Sequence, residues 1–539
     1  MPRSEPPLTL TVDGVEVTVD AGHRSLLSVL RDQLGLVGVK DGCSPQGQCG
    51  CCTVLVDGQP RVACVTPARR VAGRTVTTVD GIGVERRRAW ADAFCATGAS
   101  QCGFCTPGII VRLDALDRKA CGPGSDGPRT GGTAPTPAVD HDAVDQALLA
   151  HLCRCTGWRT IHDAWDRFPD ELAGGSGGDD DRNLEAASRR AGIEGGVAQR
   201  VGPDVALGRG GFAADTAPPR ALVAVSDGTG GWVVGETAEE ARAAVAKVQG
   251  RRTTAGHRWP LEVPAGVWAA TLRTTWVEPA YLETDASWCR PGGEPASATA
   301  NGGAFGAKQP SFASSAARRL ADEHGRAVLV LTSREDATRF GPKRPPVAGG
   351  ARADGTGVLR VVRTPGIARA VAAVAPGLVV EEVDVAGPPT SASTRAAGWA
   401  EAVVLLAGAS GAAAPVVAPS GAVATAEVVD GTIRASVRCG RVLDEVVLRS
   451  YCVGAAHMAW SWLTSEALTV DEAGVVHDLT IRSFGVTRAV DTPPIEIAVD
   501  LDDDGEPVNG SDAVFAAVAA AGWLALGRTP DWPVGAPPR

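Results

Sequence analysis

The chain has 539 residues, a formal net charge of −10 and an ordinary 44 % of apolar residues. Its length gives room for two to four domains, and its acidic balance offers no electrostatic footprint for nucleic acid or an anionic membrane. No apolar run approaches the roughly 20 residues of a membrane-spanning helix. The opening MPRSEPPLTLTVDG lacks the basic-then-apolar pattern of a secretory signal, and fourteen cysteines suit a reducing compartment. The cytoplasm is therefore the expected location.

Residues 8–19 (LTLTVDGVEVTV) alternate on either side of Asp13-Gly14, which predicts a hairpin. The stretch Arg24–Leu34 carries apolar residues at helical spacing and stops before Gly35. A glycine-rich loop, GCSPQGQCGCC, supplies Cys43, Cys49 and Cys52; the strand Thr53–Val56 and a turn at Asp57-Gly58 lead on to Cys64. C-x₅-C-x₂-C with a distant fourth cysteine is close to the plant-type [2Fe–2S] spacing C-x₄-C-x₂-C…C. Glycines at 42, 47 and 50 let the backbone wrap tightly and aim its N–H groups at cluster sulfurs. Hairpin, helix, metal loop and returning strands predict a ferredoxin-like β-grasp domain over residues 1–82.

Over 83–172 the hydrophobic period becomes helical. Short helices are expected at 87–98, 107–118, 142–152 and 159–168, with Pro107 placed in a first turn. Cys102 and Cys105 (QCGFCT) precede one helix, and Cys153 and Cys155 (LCRCTGW) end another, so four thiolates at helix termini can close on one site. Zinc or an unmetallated set are the competing readings; the first-loop spacing favours iron–sulfur over both. Cys51 and Cys121 are given no role. The Gly/Pro/Thr-rich insert near 122–137 reads as a flexible loop, and residues 173–195, beginning AGGSGGDDD, as a linker.

The remainder, 196–539, has α/β texture. Thr237-AEE is a capping box opening a helix through Lys247. SSAARRLADEHG followed by AVLVLTS reads as helix, turn and buried strand, and LDEVVLRSYCVGAAHMAWSWLTSEAL as a long helix. VHDLTIRSF and IEIAVDL read as strands and DAVFAAVAAAGWLAL as a terminal helix. The eight histidines show no metal-ligand spacing, and Cys289, Cys439 and Cys452 read as small buried apolar residues.

GCSPQGQCGCCTVLVDG with Cys64, QCGFCTPG and LCRCTGW together resemble the two-cluster module of the xanthine dehydrogenase/aldehyde oxidase/carbon monoxide dehydrogenase family of molybdenum hydroxylases. The likeness covers roughly residues 5–170 and all eight ligand positions; the longer first loop and the 122–137 insert are its departures. In the second half, TWVEPAYLETDASW, NGGAFGAK, TRAAGWAEA and the closing segments are similar to that family's molybdopterin-binding subunit. The resemblance implies an α+β multidomain chain: a β-grasp domain, a four-helix [2Fe–2S] bundle, then a shortened molybdopterin-binding-like α/β domain. It implies two [2Fe–2S] clusters on Cys43, Cys49, Cys52, Cys64 and on Cys102, Cys105, Cys153, Cys155. It further implies pterin contacts from Gly302, Gly303, Ala304, Phe305, Gly306, Arg395 and Gln101, and a catalytic base at Glu506 in Gly505-Glu506-Pro507. The acidic run Asp502–Asp504 ahead of that tripeptide equally suits an exposed turn.

The function implied is an oxidoreductase that passes electrons from a molybdopterin site through both clusters to an FAD-binding subunit on a separate chain, with a heterocycle or aldehyde as substrate. The alternative is an electron-transfer subunit whose C-terminal domain is a cofactor-free docking scaffold. It suits a second half that is short for the cofactor-binding subunit and has no counterpart of the family's glutamine near the metal.

Overall fold

The computed structural model describes residues 7–20, 25–121, 140–174, 182–245 and 253–535. The insert at 122–137, the Gly/Ser/Asp stretch 175–181, Arg24 and Lys247 lie outside the described residues.

Leu8–Val12 pairs antiparallel with Val15–Val19 across the turn at Asp13-Gly14. The first strand also runs parallel to Thr75–Thr77, which is antiparallel to Thr53–Val56, itself paired with Gln59–Val62. The five strands form one sheet. The stretch 26–33 is helical, opened by Ser25, whose side chain accepts from the Ser28 N–H, and it buries Leu26, Leu27, Val29 and Leu30.

Four helices follow: Val84–Ala96, Thr106–Cys121, His141–Ala147 and Arg159–Leu172. Trp90 stacks on Phe168 with ring centroids 3.7 Å apart, fixing the first helix on the last. Arg86 is buried between them and bonds Asp114 (2.9 Å) and Asp117 (2.6 Å), so that its charge is not left unpaired in the core.

Among the described residues the C-terminal part holds three four-stranded sheets. The first, with Val328–Leu331 at its interior, carries the helix Phe312–His324, whose Ala313, Ala317 and Leu320 are buried. The second contains Val347–Ala351 and Gly357–Val362, and the third Val423–Val429, Thr432–Arg438 and Ile495–Val499. The helices Glu445–Thr464 and Ser511–Ala525 are apolar on nearly every face and are packed together inside, as such composition requires.

Two expectations are corrected. Within the expected linker 173–195, Leu184–Gly195 is a helix: Asn183 caps it by accepting the Glu185 and Ala186 N–H groups, and Ala187 and Ala191 bury against Val447 and Tyr451. VHDLTIRSF is not a strand. Val476 makes a single bridge to Val470, and Ile481–Phe484 is a short 3₁₀ turn in which the Thr480 N–H donates to the Ser483 hydroxyl. Side-chain hydrogen bonds from Asp478 and Ser483 compete with a ladder here.

Candidate iron–sulfur and cofactor site

Cys43, Cys49, Cys52 and Cys64 are all buried in one group. The Cys43 side chain is hydrogen-bonded to those of Cys49 and Cys64, and Cys64 to that of Cys52. The Cys43 sulfur also accepts the Gln46 N–H (3.1 Å), and the Cys52 sulfur accepts the Cys64 N–H (3.4 Å). Donation by Cys49 and Cys64 brings the Cys43 thiol down to about 2, and the two donors are pushed up. The loop turns through left-handed backbone at Ser44 (φ 50°), Gly47 (φ 71°) and Gly50 (φ 73°).

Cys102, Cys105, Cys153 and Cys155 form a second buried group. The Cys102 and Cys155 sulfurs lie 3.8 Å apart, while Cys105 bonds Cys153 and lowers its thiol to about 6. The Thr156 hydroxyl is 3.1 Å from the Cys153 sulfur. Among the described residues, no three His, Cys, Asp or Glu side chains converge on a point suited to a single ion. A [2Fe–2S] group takes two thiolates on each iron, so the four buried thiols of each group fit two such clusters in number and kind.

The groups are joined by main chain. The Leu152 N–H, one residue before Cys153, donates to the Cys49 carbonyl (3.0 Å). A Cβ on Gly50 would lie 2.4 Å from the His151 ring, so only glycine permits this approach. Cys51, given no role from its spacing, is buried here with its thiol hydrogen-bonded to Cys49.

On the far side of the second group, Gln101, Gly303, Phe305, Gly306 and Arg395 line one cavity of about 130 Å³. Gly302 lies beside the cysteines, in a gap of about 10 Å³, and Ala304 is buried next to Tyr281. The Gln101 amide donates to Cys155 O and to Ser450 Oγ, both at 2.9 Å. Arg395 pairs with Asp512 (3.1 Å), which also faces the cavity, as does Glu194. Burial pushes the Asp512 carboxyl up. Glycine backbone, a primary amide and a guanidinium fit a pterin in kind. In volume the space falls below the ~300–1,000 Å³ that pockets holding a whole organic ligand occupy. Glu506 is exposed in its acidic turn; the cavity wall begins three residues later, at Asn509.

Two family models match: a 2Fe-2S iron-sulfur cluster binding domain over residues 10–75 and a [2Fe-2S] binding domain over 78–166. A probable xanthine dehydrogenase subunit from Bacillus subtilis is 35 % identical over 167 residues, 31 % of this chain and 87 % of that protein. An aldehyde oxidoreductase of Megalodesulfovibrio gigas is 40 % identical over 160 residues, 29 % of this chain but only 16 % of that protein's length. In fold, the aldehyde oxidoreductase structure from Desulfovibrio gigas superimposes with a TM-score of 0.68 at 14 % identity, covering 98 % of this chain and 99 % of that one. Fold and site together define an iron–sulfur electron-transfer module with two [2Fe–2S] clusters. The chain belongs to the xanthine dehydrogenase/aldehyde oxidoreductase family of molybdenum hydroxylases. Among the described residues no helix is long and apolar enough to cross a membrane.

Proposed function

We propose that this protein is an oxidoreductase of the molybdenum hydroxylase family, conducting electrons from a molybdopterin site through its two [2Fe–2S] clusters to a flavin-bearing partner. The observation that carries the reading is the Leu152–Cys49 hydrogen bond, which leaves the two cysteine groups one main-chain contact apart. When bound, each cluster supplies one-electron chemistry at a potential tuned by charge, hydrogen bonding and exposure. Cys43, Cys49, Cys52 and Cys64 would hold the first, and Cys102, Cys105, Cys153 and Cys155 the second. Burial of all eight excludes water from the route.

Two readings of the second half follow from different observations. The convergence of Gln101, Gly303, Phe305, Gly306 and Arg395 favours a pterin cofactor in this chain, with Glu506 as base and a heterocycle or aldehyde as substrate. The small volume, and the carboxylates of Glu194 and Asp512 facing it, favour a docking scaffold beside a molybdenum site on another chain. Metal analysis of protein from a host that makes the cofactor separates them. About four Fe with about one Mo per chain supports the first reading, and about four Fe without Mo the second. Zinc in place of iron would overturn both.

A further inference from the structure

The segment that sequence pattern assigns to a strand, 476–484, lies across the first cysteine loop. Gln46 donates through Nε2 to Leu479 O (2.8 Å) and to Glu335 Oε1 (3.1 Å), and its Oε1 accepts the Ile481 N–H (3.1 Å). Gln48 Oε1 accepts the Arg482 N–H (3.3 Å). The Arg482 side chain continues inward: Nε donates to Gln48 O (2.9 Å) and Nη2 to Leu149 O (2.7 Å). Gln46 and Gln48 lie between Cys43 and Cys49, in the loop that is one residue longer than the plant-type spacing.

All the side-chain partners of Arg482 are carbonyls. Among the described residues no carboxylate pairs with it, and its neighbour Arg488 is engaged by Asp491 (2.6 Å). The charges acting on the half-buried guanidinium are that of Arg488, which opposes its own, and those of the Cys49 and Cys43 sulfurs, which favour it. The second group is arranged differently. There Arg154 is held by both oxygens of Glu466 (2.5 and 2.7 Å) and Lys308 by Glu283 (3.0 Å), so each cation is neutralised beside the cysteines.

A four-thiolate [2Fe–2S] centre is anionic and gains a further negative charge on reduction. A nearby unneutralised cation therefore stabilises its reduced form more than its oxidised form. We propose that Arg482 is the counter-charge that sets the reduction potential of the first cluster and makes it the downhill end of the relay. The strap carrying it belongs to the C-terminal domain, so that domain acts on a cluster held by residues more than four hundred positions earlier. This inference rests on the two-cluster relay described above.

The test is a redox titration of the full chain followed by electron paramagnetic resonance, the first cluster's signal being assigned in a Cys102→Ser background. Arg482→Gln keeps a side-chain donor and removes the charge. It should lower the first cluster's reduction equilibrium tenfold or more, about 59 mV for one electron, and leave the second cluster unmoved. Arg482→Lys keeps the charge and should titrate within about twofold of the unaltered protein. An Arg482→Gln protein whose first cluster titrates like the unaltered one would overturn the inference, as would both clusters shifting together. If Arg482→Gln loses the cluster, Arg482→Lys decides alone: a tenfold shift despite the retained charge shows a purely structural role. Absence of two signals from the unaltered chain would instead sink the relay reading itself.

Discussion

Replacing Glu466 by Ala isolates the contact between the C-terminal domain and the second cysteine group. Arg154 lies between Cys153 and Cys155 in sequence; its side chain is 4 % exposed and that of Glu466 1 %. Without the carboxylate, one hydrogen bond from Nε to Pro279 O (3.1 Å) remains. The cavity that both residues line encloses about 30 Å³ and gains the space of the deleted side chain, room for about two waters or more, but neutral waters do not replace two charged acceptors. Removing one partner from a buried pair costs about 3–5 kcal/mol, because the survivor stays buried and unpaired. Denaturant unfolding followed by tryptophan fluorescence and by cluster absorbance should show that loss, with the second cluster bleaching before the first. Arg154→Met combined with Glu466→Leu should recover most of it, since an apolar pair of similar volume carries no desolvated charge. A cost below about 1 kcal/mol for Glu466→Ala, the range of an exposed pair, would refute the reasoning.

Four further outcomes are expected. Cys102→Ser or Cys153→Ser should abolish the second cluster's resonance signal, keep the first and halve the iron content. Gly303→Ala places a Cβ 2.9 Å from both Cβ and Sγ of Cys102, at a φ of +79°, so it should perturb the second cluster's spectrum. Gly14→Ala, also at positive φ but with open space around it, should cost only about 1–2 kcal/mol and leave both spectra unchanged. Burial brings His457, whose Nε2 lies 3.1 Å from Thr487 O, down to about 3. The unfolded chain binds that proton from roughly pH 6.5 downward and the folded chain does not, so stability is lost as pH falls from about 6.5 toward 3. Between pH 7 and pH 5 unfolding free energies should fall by about 2 kcal/mol more in the unaltered protein than in His457→Gln.

The two cysteine groups were legible because each half of a group is local: C-x-x-C, C-x-C and the glycine-rich loop carry their spacing within a few residues. The hairpin at Asp13-Gly14 was readable for the same reason. Arg482 carried no such signal. Its partners Gln48 and Leu149 stand 434 and 333 positions away, and the apolar alternation around it mimics a strand. The helix Leu184–Gly195 was hidden by the neighbouring Gly/Ser/Asp run, although Asn183 ahead of Leu184-Glu185 is a cap signal. Glu506 is a different case. A tripeptide similar to a family motif stands at the right place in the chain, and Glu506 is exposed there, as are Asp502 and Asp504 before it.

The second half is bound to the clusters too closely to be a loosely tethered passenger. Gly454, within the helix Glu445–Thr464, leaves so little space that a Cβ there would stand 1.8 Å from Cys155 O, and the same helix supplies Ser450 to the Gln101 amide. On the other cluster the strap 476–484 grips Gln46 and Gln48. A domain serving only to recruit a partner would need one such face. This one holds both cysteine groups, pairing Arg154 and Lys308 with carboxylates at one and leaving Arg482 with carbonyl partners at the other. Potential differences between two centres are generated by just such asymmetry in local charge and hydrogen bonding. On the proposed relay, the C-terminal domain would bear on the direction of electron flow whichever chain holds the molybdenum, and the variants at Glu466 and Arg482 test its two ends separately.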